Sequence, residues 1–303
     1  MAGMRRPSAA EAALLLCVTI WSLNFTAVKV GVTSISPLAF SVVRFTLGAA
    51  ITVVAVTWHE GLPRFRRRDL PLLCAAAIVG ITINQACFVG ALHASSASAT
   101  ALLVGTVPIW GTLIAVASGQ ERVGRGHWAA VGAGMLGVML IVLGNPEPGT
   151  WAGLGVGELL ALGTAVSWAI YSVLIRPLME RYSALQLSSF MMVVGTACLA
   201  PFALPGLLGQ DWGAVPTAAW LGLIYAALFS VTLTNILYFT AIRRVGPARA
   251  TLFQYLEPFG GVLFAVVLLR EGVAPLQLLG GAVVVASVLL GRPRQIEVAA
   301  PGI

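Results

Sequence analysis

The chain has 303 residues, of which 58% are hydrophobic and only 10% are charged. A soluble domain of this length needs a charged surface, whereas a chain surrounded by lipid needs charge mainly in its loops, so this composition excludes a soluble globular protein. The net charge of +7 would suggest nucleic-acid binding in a soluble protein, but the basic residues lie in short loops between apolar segments. We therefore expect an integral membrane protein with the lipid bilayer, and no nucleic acid, as a partner.

Ten apolar segments are long enough to cross the hydrocarbon, because about 20 helical residues suffice. In chain order they are approximately 11–32, 37–57, 71–92, 97–117, 127–144, 157–176, 184–205, 218–241, 248–269 and 275–291. The first follows two arginines, as the core of a signal peptide would, but it runs past a usual cleavage length and is interpreted as a membrane helix. The sequence predicts an all-α integral membrane protein with ten transmembrane helices.

The chain is also a tandem duplication. Residues 91–123 match residues 241–273 at an offset of 150, and an earlier stretch matches at an offset of 147. The matched positions include Trp21 with Trp168, Ser36 with Ser183, Gly48 with Gly195, Pro108 with Pro258, Gly111 with Gly261 and Glu121 with Glu271. This divides the chain into residues 1–146 and 147–303, each with five spans. Because five is odd, the second unit must be inverted, and two inverted five-helix repeats around a central cavity are typical of a secondary transporter.

The distribution of basic residues predicts the orientation in the membrane. With a cytoplasmic N-terminus, 15 of the 18 lysines and arginines lie on the inner side, and Arg270 lies in an outer loop. Positive charge is enriched on the cytoplasmic side, so we expect both termini in the cytoplasm and a location in the inner or plasma membrane. The same orientation places Glu121 inside and its repeat partner Glu271 outside, in agreement with the inversion.

Three charges inside apolar spans are candidates for contact with a transported molecule, since a charge near the bilayer centre costs at least about 2.5 kcal/mol and normally faces a cavity or a partner. Lys29, the only lysine, lies late in the first span, and snorkelling to the outer interface is the alternative. Arg44 lies about two turns into the second span, where pairing with a helix end or a carbonyl is the alternative. Glu257 directly precedes Pro258, which leaves a carbonyl one turn earlier unpaired, so binding of an ammonium group or a proton competes there with a salt bridge to Arg44, Arg249 or Lys29.

Polar and aromatic residues at mid-depth complete the predicted substrate-binding set. Amides both donate and accept hydrogen bonds, which suits a polar cargo, although ordinary hydrogen bonding between helices is the alternative. These residues are Trp21, Asn24, Asn84, Gln85, Trp168, Tyr171, Asn235 and Gln254. Pro108 and Pro258, one in each half, are interpreted as hinges at which helix segments pivot, with static kinks as the alternative.

Four motifs together carry a specific signal: WSLNFTAVKVG at 21–31, RFTLGA at 44–49, PIWGTLIAVASGQE at 108–121 and EPFGGVLFAVVLLRE at 257–271. They resemble the drug/metabolite transporter superfamily in its ten-helix form with two EamA-type repeats, over nearly the whole chain. The resemblance implies a basket of ten helices around a central cavity. It also implies transport, in a family that moves amino acids, nucleotide sugars, nucleosides, cofactors and drugs.

No catalytic, metal or cofactor site is predicted. The three histidines are scattered at span ends, the four cysteines lie inside apolar spans without metal-ligand spacing, and no phosphate-binding loop is present. We expect the protein to have no enzymatic activity and to bind no cofactor. We expect it to be a monomer or a homodimer. The predicted function is export or exchange of a small polar metabolite by alternating access, with amino acids or related zwitterions leading. A carrier of drugs, nucleosides or other metabolites, a passive channel, and a non-transporting receptor or scaffold are the alternatives.

Overall fold

The computed structural model describes residues 9–117, 124–144, 155–245, 253–254 and 256–290. Every regular element in these ranges is helical, which confirms the predicted all-α class. The α-helices are α1 (Ala9–Val32), α2 (Pro37–Glu60), α3 (Leu70–Ala77), α4 (Asn84–Ala94), α5 (Ala97–Val104), α6 (Val107–Ala117), α7 (Arg125–Leu143), α8 (Val156–Met179), α9 (Ala184–Gly209), α10 (Thr217–Tyr225), α11 (Thr234–Val245), α12 (Glu257–Leu269) and α13 (Pro275–Leu290).

The apolar helices follow the predicted spans. By length and composition, five helical stretches in the described ranges can cross a membrane, namely Ala9–Val32, Pro37–Glu60, Arg67–Ala94, Val156–Met179 and Ala184–Gly209. Five shorter apolar stretches, some of which comprise more than one helical segment, lie at Ala97–Gly111, Trp128–Leu143, Thr217–Leu233, Glu257–Leu269 and Pro275–Ser287. Large apolar side chains such as Val54, Leu136 and Val267 are exposed on their outer faces, as expected where lipid is the solvent.

Two π-helical segments lie at repeat-related positions. Residues 78–83 join α3 to α4, and residues 226–233 join α10 to α11, so each pair continues as one helix. Both segments are packed closely. In the first, Thr82 Oγ1 donates to the carbonyl of Gly195 at 2.8 Å, and in the second, Val231 Cγ1 would lie 2.6 Å from a Cβ atom at Gly48. Short π segments within α-helices frequently mark functional sites. The sequence repeat thus extends to an irregular feature of the backbone.

The helices that carry Pro108 and Pro258 begin beside these prolines. α5 ends at Val104, a turn at 105–106 follows, and Pro108 is the second residue of α6; Pro258 is likewise the second residue of α12. Proline costs no hydrogen bond in the first helical turn, because N–H groups there have no intrahelical acceptor. The structure therefore has a break at residues 105–106, where the sequence predicted one continuous span. A Cβ atom at Gly105 would lie 2.6 Å from Pro258 Cγ, so only glycine lets the two segments approach this closely.

α7 and α13 pack against each other along their length. A Cβ atom at Gly137 would lie 2.7 Å from the carbonyl oxygen of Gly280, and one at Gly280 would lie 2.7 Å from Ile141 N. Small residues allow helix backbones this close in membranes. α1, in contrast, is surrounded by α4, α5, α10, α11 and α12. The residues that line the middle of α1 therefore face the interior of the bundle.

A polar cluster ties the two halves together at one end of the bundle. Asp69 accepts hydrogen bonds from Arg181 Nη1 at 2.6 Å and from the Tyr182 hydroxyl at 2.7 Å, and this hydroxyl accepts one from Arg66 N at 3.0 Å. Asp69 lies in the turn before the apolar part of its helix. The hydrogen bond from Tyr182, together with Arg181, lowers the pKa of the Asp69 carboxyl and outweighs the opposite effect of burial.

Candidate functional site

The guanidinium of Arg44 is the centre of the candidate site. Arg44 lies in α2, is 2% exposed and is the largest of the fully buried side chains in the described ranges. Its Cζ atom lies 5.1 Å from the ring centroid of Phe45, 5.6 Å from that of Phe40 and 5.7 Å from that of Phe88. A cation within about 6 Å of an aromatic face is attracted by it. The rings hold the guanidinium in place but leave its charge unneutralised.

The hydrogen-bonding capacity of Arg44 is mostly unused. Among the described residues, its side chain has one hydrogen-bond partner, with Nη2 donating to Gln85 Oε1. Its buried Nε has no partner, and no described carboxylate forms an ion pair with it. A guanidinium carries five N–H donors, and a buried donor left unmatched costs about 1–3 kcal/mol. The site therefore favours an anion that brings its own acceptor oxygens.

A chain of amide hydrogen bonds orients Gln85 toward Arg44. Gln85 Nε2 donates to Asn84 Oδ1 at 2.9 Å, and Asn84 Nδ2 donates to the Thr164 carbonyl at 2.9 Å and to Ser167 Oγ at 3.1 Å. Because both nitrogens are used as donors, the Gln85 oxygen is directed at the guanidinium. The chain runs from α2 through α4 to α8, so it connects the first half of the sequence with the second.

Glu257 belongs to a second group at the start of α12. Its main-chain carbonyl accepts a hydrogen bond from Ser22 Oγ at 3.0 Å, which places it against the middle of α1. Beside Ser22, Trp21 donates through Nε1 to the Ser230 carbonyl at 3.3 Å, and its ring meets that of Tyr238 edge-on at 5.1 Å. Within the described ranges, the Glu257 carboxylate has no hydrogen bond or ion pair. The salt bridge to Arg44, one of the alternatives for Glu257, is not formed in the described structure, and Arg249 lies outside the described residues.

Both groups contact α1, the central helix. The ring of Phe88, which faces Arg44, also lies 5.5 Å from the ring of Phe25, edge-on. Ser22 touches Glu257, and Phe25 is three residues farther along the helix, a rise of about 4.5 Å. The Arg44 group and the Glu257 group are thus connected to neighbouring turns of the same central helix.

The other predicted residues divide between the interior and the rest of the bundle. Asn24 is 8% exposed and its Oδ1 has no partner among the residues that the structure describes, so it is available for a polar contact. Trp168 and Tyr171 pack together at 5.2 Å, with Tyr171 against the π segment at residues 78–83. Asn235 donates to Val231 O within its own helix, so part of its hydrogen-bonding capacity is used locally. Gln254 is half-buried just before α12.

Lys29 lies apart from Arg44, near the end of α1. Its Nζ donates to the Ser95 carbonyl at 2.6 Å, and Ser95 Oγ in turn donates to Glu158. Reasoning from the sequence grouped Lys29 with Arg44 because both are basic residues inside apolar spans. It missed the rings of Phe40, Phe45 and Phe88. Two of these flank Arg44 in α2, one turn before it and one residue after it, and that pattern was the available signal.

Comparison with known proteins agrees with the fold. A family model described as the EamA-like transporter family matches residues 8–143 and again residues 155–291, one match within each predicted unit. The probable terminal-alkyne amino-acid exporter of Streptantibioticus cattleyicolor is 28% identical over 295 residues, which covers 96% of this chain and 97% of that protein. The uncharacterized inner membrane transporter YedA of Escherichia coli K12 is 28% identical over 288 residues, covering 92% of this chain and 89% of that protein.

A solved crystal structure supports the same architecture. It superimposes with a TM-score of 0.65 at 18% sequence identity and covers 94% of this chain and 98% of that one. At this identity the likeness concerns the fold alone. The family matches confirm the resemblance to the drug/metabolite transporters that the sequence motifs indicated.

Proposed function

This chain belongs to the EamA-like transporter family, and we propose that it exports or exchanges a small amino acid or a related zwitterion across the cytoplasmic membrane. The observation that carries this proposal is the buried Arg44 guanidinium, which has one neutral hydrogen-bond partner and an unmatched Nε. A carboxylate fits this demand, because it accepts two parallel hydrogen bonds from a guanidinium and neutralises its charge.

Glu257 supplies the complementary half of a zwitterion site. Its carboxylate has no described partner, and its main-chain carbonyl contacts Ser22 of α1, one turn before Phe25, which packs against the ring of Phe88 beside Arg44. The neighbouring rings of Trp21 and Tyr238 would favour a cation by their electrostatic attraction. An ammonium group is therefore the expected partner of Glu257. The name of the Streptantibioticus relative, an amino-acid exporter, supports the same class of cargo.

In the proposed mechanism, the halves 1–146 and 147–303 are inverted repeats that rock about this central site. Both termini face the cytoplasm, as the distribution of basic residues predicts. The start of α6 and of α12 beside Pro108 and Pro258 supports pivots at repeat-related positions. Half-helices that begin near the middle of the membrane are a recurring feature of substrate sites in transporters. Transport follows from exposing the site first to one side and then to the other.

Counterflow tests this proposal. The purified protein is reconstituted into proteoliposomes that are preloaded with unlabelled amino acids in one series and with nucleosides in another, and entry of the labelled compound is followed. We expect amino-acid counterflow in the wild type, a loss of about 100-fold in Arg44→Gln, and partial retention in Arg44→Lys, which keeps the charge but not the planar fork. Arg181→Gln is the matched control, because Arg181 pairs with Asp69 at the end of the bundle.

The outcomes separate the alternatives. Counterflow of nucleosides instead of amino acids would replace the cargo class, and wild-type counterflow in Arg44→Gln would remove Arg44 from the site. Uptake without counterflow would indicate a channel. No flux of either class would favour a receptor or scaffold over a carrier of these compounds.

A further inference from the structure

The turn between α4 and α5, residues 94–98, is held by charged side chains. We call it the Ser95 turn. Glu271, which follows α12, accepts hydrogen bonds from Ala97 N at 2.9 Å and from Ser98 N at 2.9 Å, and a third from Ser98 Oγ at 2.7 Å. A carboxylate at a helix N-terminus satisfies N–H groups that have no intrahelical acceptor and is attracted by the helix dipole. Glu271 thus fixes the beginning of α5.

Two further charges hold the other side of the Ser95 turn. Ser95 Oγ donates to Glu158 Oε1, while Glu158 Oε2 accepts from Gly155 N at 2.9 Å at the beginning of α8. Lys29 Nζ, at the end of α1, donates to the Ser95 carbonyl at 2.6 Å. Glu158 and Glu271 lie in the second half of the sequence, whereas the turn lies in the first. The Ser95 turn therefore closes one end of the bundle through contacts that cross between the halves.

The backbone at this contact is also closely packed. A Cβ atom at Gly157 would lie 2.9 Å from Ser95 N and 2.9 Å from Ala94 C, so a larger residue at 157 would push the turn away from α8. By the predicted topology, this end of the bundle faces the outside. Movement of the Ser95 turn away from α8 would open a path between them.

The sequence repeat duplicates these three charges at the opposite end. An offset of 147 relates Lys29 to Arg176 and Glu158 to Glu11, and an offset of 150 relates Glu271 to Glu121. Glu11 lies at the beginning of α1 and Arg176 near the end of α8, and Glu121 lies outside the described residues. The sign of the charge is the same in every pair.

The charges of the proposed binding site are not repeated in this way. The same offsets relate Arg44 to Met191 and Glu257 to Val107. Duplication of the sequence therefore does not by itself preserve charge. A set of three charges that is present in both halves has a role that both ends of the bundle share, whereas Arg44 and Glu257 have a role that occurs once.

We propose that Lys29, Glu158 and Glu271 form a latch that closes the outer end of the bundle, and that Glu11 and Arg176 belong to its counterpart at the inner end. This inference rests on the alternating access of the proposed function. In this structure the outer latch is formed. Because both latches contain charges of the same sign, we expect cargo binding to shift the equilibrium from one latch to the other.

Hydrogen exchange measured by mass spectrometry tests the latch without any cargo. The amides of Ala97 and Ser98 donate directly to Glu271, so exchange in the segment 94–104 reports release of the Ser95 turn. We expect Glu158→Gln to accelerate this exchange about tenfold, since a hydrogen bond to a charged group is replaced by a neutral one. Glu11→Gln, at the opposite end, is expected to slow it about threefold, because weakening the inner latch raises the population in which the outer latch is formed.

The effect of Glu11→Gln separates a latch from a merely structural contact. Glu60→Gln is the matched control, since Glu60 accepts a hydrogen bond from Ser183 between the halves but has Leu207 as its repeat counterpart. Unchanged exchange in segment 94–104 of Glu11→Gln would overturn the proposal. So would equal slowing in Glu60→Gln, because it would make the response unspecific.

A crosslink gives a second measurement that does not depend on removing a charge. Ala94 and Val156 are both exposed and flank the contact between the Ser95 turn and α8. In a variant without the four native cysteines, Ala94→Cys and Val156→Cys are joined by a short reducible crosslinker. Counterflow is expected to fall at least about tenfold and to return on reduction, and full counterflow with the crosslink in place would contradict the latch. Absence of counterflow before crosslinking would count against the proposed function instead, and the exchange experiment would still decide on the latch.

Discussion

Arg44 and Asp69 are both charged side chains that the fold buries, and their surroundings differ. Asp69, 5% exposed, accepts hydrogen bonds from Arg181 and Tyr182. Arg44, 2% exposed, has three aromatic rings and one amide oxygen around it, and no described carboxylate. A buried charge that lacks a counter-charge is strongly unfavourable, whereas a buried pair with satisfied hydrogen bonds is tolerated. The difference distinguishes a charge that joins the two halves from one that is kept available.

Arg44 is therefore a buried charge without a described counter-charge, at the position where the proposed function requires a free guanidinium. Proteins depart from the pairing of buried charges mainly at functional sites, and the cost is offset elsewhere in the fold. Here the rings of Phe40, Phe45 and Phe88 offset part of the cost. The carboxylate of the cargo would be the counter-charge of Arg44, as Arg181 is the counter-charge of Asp69. Occupancy of the site would then raise the stability of the protein as well.

The largest expected effect comes from giving Arg44 the counter-charge that it lacks. Gln85→Glu places a carboxylate at the position of the amide that already accepts from Arg44 Nη2. We expect amino-acid counterflow to fall by about 100-fold, because the cargo must displace an internal ion pair worth roughly 3 kcal/mol. The melting temperature without cargo should rise, since the buried charge is then neutralised. Counterflow and thermal unfolding of the same preparation measure both effects.

Gln210→Glu is the control for this change. Gln210 accepts from Ser36 N and donates to the Ser34 carbonyl in loops at the end of the bundle, away from Arg44. The same substitution there should leave counterflow near the wild-type rate. If Gln85→Glu also transported at the wild-type rate, Arg44 would be as structural as Asp69, and the comparison would fail.

Asp69 is expected to affect stability and not transport. Asp69→Asn removes the charge that Arg181 and Tyr182 stabilise, so the melting temperature should fall while counterflow per folded protein is kept. The pKa of Asp69 is lowered in the folded protein, mainly by Tyr182 and Arg181. This contribution to stability is therefore fully present above the ordinary aspartate pKa of about 3.9 and is lost as the pH falls toward the lower folded value.

A pH series of thermal unfolding isolates that contribution. Below about pH 4, the melting temperature of the wild type should fall more steeply with decreasing pH than that of Asp69→Asn. Asp211→Asn is the control, because Asp211 is an exposed loop residue whose carboxylate accepts from Gly213 N and Ala214 N. Parallel curves for the wild type and Asp69→Asn would show that Asp69 does not stabilise the fold through its charge.

The charged residues of the site could be predicted from the sequence, but the residues that surround them could not. Arg44 and Glu257 stand out because charged residues are rare in apolar spans, and helical spacing alone predicts the helices that carry them. The pairing of Asp69 with Arg181 joins two segments 112 residues apart, and only tertiary packing brings them together. The π segments and the break at residues 105–106 were also missed. Apolar composition is the same on either side of them, and a proline is compatible with both a kink and a helix start.

The smallest expected effect concerns the support of Arg44 by the second half of the chain. Ser167→Ala removes one of the two acceptors of Asn84 Nδ2, while the Thr164 carbonyl remains. Asn84 would then hold Gln85 less firmly, which has two opposite effects on cargo binding. A looser Gln85 competes less with the cargo for Arg44, but it also orients the Arg44 guanidinium less well. If orientation dominates, the KM for counterflow rises about two- to fivefold with little change in maximal rate, as expected for one neutral hydrogen bond.

Ser172→Ala on the same helix is the control, because Ser172 is exposed and donates only to Trp168 O. A lower KM in Ser167→Ala would instead mean that Gln85 competes with the cargo. Arg44 would then be restrained by its neutral partner as Asp69 is by its charged one, and the two buried charges would differ in degree only.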